Sequence, residues 1–324
     1  MQEMMKKRAI ELLDSGDVTR IIGWKKGEFA YDPTPAVFET AEEIEKDFVY
    51  DDFTAANVSK YLIKEMAKDG KTLVFLKPCD TYSLNQLTAE HRIDREKVYV
   101  IGVQCDGKAD VEKIKEKGID GIIGIESDGD SLIIKTIYGD ERVNRADVMS
   151  DRCLACKSKK LASYDEIIGE DGEDIPDCGR FDMVEQLEQM TSEERFSFWQ
   201  GELSRCIRCN ACRNVCPACT CESCVFDNPK SGIAQKAAAD SFEEKMFHII
   251  RAYHVAGRCT DCGECSRVCP EHIPLHLLNR KFIKDMDDLY GEYQAGDDTE
   301  SKHPLTSFTY DDAEPSVVRE RGNE

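Results

Sequence analysis

The chain has 324 residues, enough for two domains with a substantial core in the larger one. Its 64 acidic residues against 43 basic ones leave a net charge of −21, which disfavours nucleic acid and anionic membranes as partners. Sixteen cysteines with no secretory signal point to metal ligation rather than disulfides, and no apolar run can span a bilayer, so the expected location is cytoplasmic, without membrane insertion.

Residues 1–165 read as an α/β domain. An amphipathic stretch near the start carries Met4, Ile10, Leu12 and Leu13. Residues 52–66 place Val58, Tyr61, Leu62 and Met66 at helical spacing, and Gly70 suits the end of that helix. Residues 72–76 are a short apolar run, hence a buried strand, and Asp80 is placed to cap a helix running through Leu84 and Leu87. A second such strand spans 98–103, followed by a helix near 111–117. Residues 122–137, broken by Asp128-Gly129, read as a β-hairpin.

Each buried strand is followed by a cysteine: Cys79 in Leu76-Lys-Pro-Cys-Asp and Cys105 in Gly102-Val-Gln-Cys-Asp. If the strands are parallel neighbours, both thiols emerge at the carboxyl edge of the sheet, where open α/β folds place their ligands. Cys153-x2-Cys156 adds a pair from one loop, making four thiols, the number that a [4Fe–4S] cube takes. Lone buried cysteines are also common small hydrophobes, so the spacing leaves both readings open.

Residues 166–201 read as an acidic connector (Glu170-Asp-Gly-Glu-Asp) that ends in a helix, with Thr191 and Glu194 as its capping box. Phe196, Phe198 and Trp199 are expected to pack on the domain that follows and to limit solvent access there.

Residues 202–291 hold one motif twice: Cys206-x2-Cys209-x2-Cys212-x3-Cys216-Pro217 and Cys259-x2-Cys262-x2-Cys265-x3-Cys269-Pro270. This is the ligand run of a bacterial two-cluster ferredoxin, in which the cysteine before proline crosses to the other cluster. The spacing therefore assigns Cys206, Cys209, Cys212 and Cys269 to one [4Fe–4S] cluster, and Cys259, Cys262, Cys265 and Cys216 to the other. Zinc also takes paired C-x2-C units, but needs neither the third cysteine nor the proline. The expected fold is a small α+β dicluster-ferredoxin-like domain with a helical insertion. Ser241 and Glu244 cap the insertion helix, Phe242, Met246, Ile249, Ile250 and Tyr253 form its stripe, and Gly257 stops it. Pro274 opens a last helix with Leu275, Leu278, Phe282, Met286 and Leu289 on one side. Residues 292–324 read as an acidic tail, either loose or an arm ordered only by a partner.

Cys178, Cys219, Cys221 and Cys224 remain. They either contribute to a fourth centre, replace Cys216 as a ligand, or pack beside the second cluster. His248, His254, His272 and His276 lie near the motifs, where a histidine tunes a cluster through a bond to sulfur or serves an ordinary surface or cap role. Arg205, Arg208, Arg213, Arg258 and Arg267 are expected to offset cluster charge rather than to bind a substrate. No triad, phosphate loop or carboxylate pair stands out, so no catalytic residue is assigned.

Gly23-Trp-Lys-Lys-Gly, Lys77-Pro-Cys-Asp-Thr-Tyr-Ser-Leu-Asn-Gln-Leu, Ile101-Gly-Val-Gln-Cys and Arg152-Cys-Leu-Ala-Cys with Tyr164-Asp-Glu-Ile-Ile-Gly-Glu resemble the β-subunit family of deazaflavin (factor 420) hydrogenases and dehydrogenases. The resemblance covers about half the chain. It implies an iron–sulfur cluster in this domain, supports Cys79, Cys105, Cys153 and Cys156 as its ligands, and makes FAD a candidate further cofactor. No G-x-G-x-x-G fingerprint follows a strand, and no flavin-binding residue is assigned. The C-terminal half, with Arg205-Cys-Ile-Arg-Cys-Asn-Ala-Cys-Arg-Asn-Val-Cys-Pro, is similar to dicluster modules fused to such domains in heterodisulfide-reductase-like, formate dehydrogenase or hydrogenase assemblies of anaerobes. The expected function is an iron–sulfur electron-transfer subunit that passes single electrons between clusters, with other redox subunits as partners. The alternative is a flavin-dependent oxidoreductase that exchanges hydride with a deazaflavin or NAD(P)H and drains into its own clusters.

Overall fold

The computed structural model describes residues 1–228, 230 and 241–307, with the side chains of 241–244 excepted. Five strands, β1 (Arg20–Lys25), β2 (Thr34–Phe38), β3 (Thr72–Leu76), β4 (Val98–Val103) and β8 (Glu166–Ile168), form one sheet in the order β2-β1-β3-β4-β8. All of its pairings are parallel except β1 with β2. Every residue of β3 is buried, as an apolar run covered on both faces requires. Its core joins Ile21, Ile22, Trp24, Val74, Phe75 and Ile101. Helix α1 (Gln2–Asp14) adds Met5, Ala9 and Leu12, while Met4 points outward at 54% exposure.

Helix α2 (Pro78–Ala89) follows β3 and starts three residues earlier than a cap at Asp80 would place it. Pro78 occupies the first turn, where its fixed φ favours the helix and its missing N–H costs nothing. Asp80 instead lies buried inside that turn, 2.6 Å from the Lys77 ammonium. The helix expected over 52–66 shrinks to a 3-10 turn at Ser59–Tyr61 and one α-turn at Leu62–Glu65. Asp51 and Asn57 side chains accept from the Phe53 and Ser59 amides, and such local bonds compete with helix.

Helix α3 (Val111–Glu116) forms where expected. β5 (Ile122–Asp128) and β6 (Ser131–Thr136) make the expected hairpin, and β7 (Gly139–Asn144) adds a third strand. Its sequence, Gly-Asp-Glu-Arg-Val-Asn, is mostly exposed and carries no apolar alternation to announce it. The sheet packs Ile122, Ile125, Leu132 and Ile134 with Ile114 and Val148. β8 extends the main sheet past the expected boundary at 165, because a strand of three residues offers no periodicity to read.

Helices α4 (Asp182–Gln189) and α5 (Ser192–Ser204) follow, and Thr191 and Glu194 form the expected capping box. Phe198 and Trp199 meet edge to face and pack with Val184, Leu187 and Leu277, whereas Phe196 stays 60% exposed. Among the described residues of 202–291 there are helices and turns but no strand, so the β part of the expected α+β character is not seen. The two ligand runs are too rich in Cys, Arg and Asn to alternate. Each closes into a single helical turn instead, at Ala211–Val215 and Glu264–Arg267. The repeated cysteine spacing is matched by a repeated backbone feature. Arg208 and Asn210 take positive φ in the first run, and Asp261 and Gly263 take it at the same offsets in the second.

Helix α6 (Ser241–Val255) buries Phe247, His248, Arg251, Ala252 and Val255; of the expected stripe, Met246 and Ile250 pack partly buried against this core, while Ile249 and Tyr253 are 40% and 64% exposed. The Ser241–Glu244 box and Phe242 lie outside the described side chains. Gly257, at φ 73°, ends the turn after the helix. Helix α7 (His276–Tyr290) buries Leu277, Arg280, Ile283 and Met286, leaving Leu289 at 72% exposure. The tail is not loose over its first part. The Tyr293 hydroxyl donates to Gly257 O, and Asn85 donates to Asp297 O. Gly296 crosses α2 so closely that a Cβ would stand 1.9 Å from Tyr82 O, at a φ of 78° that glycine tolerates. Residues 308–324 lie outside the described residues.

Candidate iron-sulfur centres

Parallel pairing of β3 with β4 sets Cys79, in the first turn of α2, and Cys105, just beyond β4, at the same edge of the sheet. The helical turn Asp151–Leu154 brings Cys153 to them, the loop after it brings Cys156, and all four line one cavity. Burial pushes the Cys79 and Cys156 thiols up, the environment of a thiol that is deprotonated only when metal holds it. Cations surround the cavity. Lys77 donates to Ala56 O and Asp80 and lies 4.6 Å above the Trp24 ring. Lys108 donates to Asp51 O and lies over Tyr50. Arg152 donates to Ala55 O and Cys262 O, and its buried Nε has no partner. Four thiols, a ring of cations and an orphaned donor fit a thiolate-ligated cube, whose negative charge they would offset.

A second cavity is lined by Cys206, Cys209, Cys212 and Cys269. The fourth cysteine of the second run therefore sits with the first three of the first run. Cys216 packs against Cys259 and lies within electrostatic range of Cys262 and Cys265 as well. Among the described residues no three His, Cys, Asp or Glu side chains converge on a single ion. A cube needs its thiols spread around a cavity, one to each iron, rather than gathered on one point.

Helix α6 contributes two groups on its buried face. His248 is 2% exposed, with Nε2 3.2 Å from Cys206 Sγ. Burial, and then Arg251 and Arg208, push its pKa down to about 3, so the ring is neutral. Arg251 donates to Cys212 O at 3.1 Å, lies within range of Cys216 and Cys265, and has a buried Nε without a partner. Arg251 escaped the sequence reading. Its signal is a cation four residues from both Phe247 and Val255 on an apolar face. The arginines expected to offset cluster charge are mostly held by carboxylates: Arg213 by Asp227, Arg258 by Glu90, Arg267 by Glu264 and Arg205 by Glu202. His276 bonds Ser266 at the start of α7, an ordinary cap role.

Cys178 Sγ lies 3.8 Å from Ala155 O and within electrostatic range of Arg280. Cys219, Cys221 and Cys224 line a wide cleft beside Lys60 and Arg92, and Cys219 is hydrogen-bonded to Cys216, both being free thiols. Lys60 is spent there on Asn214 O and Cys219 O, and Arg92 on Thr220 O.

The first cavity is walled on its far side by Thr260, Asp261 and Cys262. Buried ion pairs clamp this seam: Arg152 to Glu264, and both Arg180 and Arg280 to Asp261. Burial would raise the Glu264 carboxyl, but Arg267 and Arg152 outweigh it and hold the pKa at about 2.

Residues 202–273 match the 4Fe–4S dicluster domain family. This part of the chain is therefore similar to 4Fe–4S dicluster domains. Over 86% of its length the chain is 25% identical to the F420-dependent formate dehydrogenase subunit beta of Methanocaldococcus jannaschii, covering 88% of that protein. It is 26% identical over 91% of its length to the F420-dependent formate dehydrogenase 1 subunit beta of Methanococcus maripaludis, covering 90% of it. A chain of the F420-reducing [NiFe] hydrogenase complex from Methanosarcina barkeri shares 15% identity at a TM-score of 0.39, over 57% of this chain and 72% of that one, too slight a likeness to place any residue. The similarity to the formate dehydrogenase subunits extends well beyond the dicluster domain, so the resemblance read from the N-terminal motifs is borne out.

Proposed function

We propose that the chain is an iron–sulfur electron-transfer subunit of a multi-subunit oxidoreductase, passing single electrons through three [4Fe–4S] centres. Cys79, Cys105, Cys153 and Cys156 hold the inner centre. Cys216, Cys259, Cys262 and Cys265 hold the middle one, and Cys206, Cys209, Cys212 and Cys269 the outer one. The dicluster part, 202–291, is ferredoxin-like, and 1–165 with β8 is the β-subunit-like domain. The observation that carries this reading is Cys262, which borders the inner cavity while belonging to the middle set. Each cube, when bound, supplies one-electron chemistry, and the linear order inner, middle, outer follows from that shared wall. The protein's own groups hold the path dry and offset its charge: Lys77, Lys108 and Arg152 at the inner end, Arg251 between middle and outer. Cys209 is exposed at the outer end and marks the port to a partner redox subunit. The relatives are named as formate dehydrogenase subunits, and a cytoplasmic complex of that kind suits a chain in which no described helix is long and apolar enough to cross a membrane.

The crossed ligand set has a direct test. Cys216→Ser should alter the EPR signal that Cys259→Ser also alters and leave the one altered by Cys206→Ser intact. Loss of the Cys206 signal alone would overturn the crossing.

The relatives' F420 dependence favours a second reading, in which FAD in the N-terminal domain exchanges hydride and the centres drain it. On the relay reading the isolated chain contains iron but no flavin. It is reduced by dithionite and stays inert to NADH, NADPH and reduced deazaflavin until partners are added. Stoichiometric FAD with hydride-donor oxidation by the chain alone would put the second reading first.

A further inference from the structure

The outer centre has a histidine against one of its thiols. His248 sits on the buried face of α6 with its ring edge-on to Phe247, at 4.9 Å between centroids. Its Nε2 stands 3.2 Å from Cys206 Sγ, and its Nδ1 is buried without a partner. Among the described residues, the one hydrogen bond that this ring makes is therefore to the sulfur. A ring present for packing alone has no need of nitrogen here, as Phe247 and Phe226 beside it show. In the middle set the nearest comparable amide is Asn279 Nδ2, at 3.8 Å from Cys265 Sγ.

A metal-bound thiolate has no proton to give, so the ring presents Nε2–H and the sulfur accepts. The positive end of that N–H dipole favours the more negative, reduced form of whatever the sulfur ligates, and hydrogen bonds to sulfur are among the determinants of cluster potential. We infer that His248 is the tuning residue of the outer centre, holding its potential up so that electrons collect at the end where Cys209 is exposed. This rests on the reading of Cys206 as a ligand.

The test is an EPR-monitored redox titration of the whole anaerobic chain carrying His248→Phe, which keeps the ring but removes the donor, and His248→Gln, which keeps an N–H. The outer signal is identified as the one that Cys206→Ser alters. In the phenylalanine chain its reduction equilibrium should weaken at least tenfold, which is 59 mV for a one-electron couple. The other two signals should stay in place, and glutamine should restore most of the shift. An unmoved outer potential at full iron content, or an equal shift of all three, overturns the inference while leaving the ligand set standing. If the phenylalanine chain fails to load iron, His248→Met is read by the same criteria. If Cys206→Ser leaves every signal and the iron content unchanged, it is the ligand reading that fails.

Discussion

Cys79→Ser and Cys156→Ser will each lower the iron content of the anaerobic chain from about twelve to about eight per molecule, since each cube carries four irons. Both thiols are half-buried at the carboxyl edge of the sheet, one in the first turn of α2 and one in the loop after Asp151–Leu154. Neither belongs to a run that supplies a spare ligand nearby. One EPR signal should vanish on dithionite reduction while the dicluster pair keeps both of its own. With the inner centre gone, no electron reaches Cys262 from the N-terminal side, and turnover in the assembled complex should collapse. A wild-type chain that settles at about eight irons would remove the inner centre outright. A substituted chain that keeps its full iron would show that these cysteines are only small buried hydrophobes.

Arg152→Met will have the largest effect on stability. The substitution keeps the aliphatic stem and removes the guanidinium from a wholly buried Glu264, which retains only Arg267. Leaving one member of a buried pair wholly uncompensated costs about 3–5 kcal/mol, which is the upper bound here because Arg267 still donates twice to Glu264. Arg152 also donates to Ala55 O and Cys262 O, so the seam between inner and middle cavities loosens as the pair is lost. Denaturant unfolding should show a lowered midpoint for Arg152→Met. Adding Glu264→Gln to it should recover part of the loss, because the stranded charge is then gone. A midpoint that stays at the wild-type value, or two effects that simply add, would show that the pair does not clamp the seam.

The features already plain in the amino-acid order are those settled within a few residues of themselves. The two cysteine runs, the strands at 72–76 and 98–103, the hairpin at Asp128-Gly129 and the Thr191–Glu194 box all depend on local spacing, and all are present. Where local chemistry competed, the reading slipped. Pro78 took the helix start from Asp80, and side-chain bonds from Asp51 and Asn57 cut short the helix expected before Met66. Other features depend on contacts between distant parts of the chain, and no local pattern encodes them. β8 is a strand only because β4 offers it an edge, and residues 293–297 are held only because Asn85 and Gly257 meet them. The face that α6 buries was set by a neighbouring cavity rather than by its apolar count, which is why His248 and Arg251 point inward and Tyr253 outward. Cys79, Cys105 and the Cys153 loop share a cavity because parallel pairing of β3 and β4 brings loop ends together, and Cys262 walls that cavity because buried ion pairs hold the two halves in register.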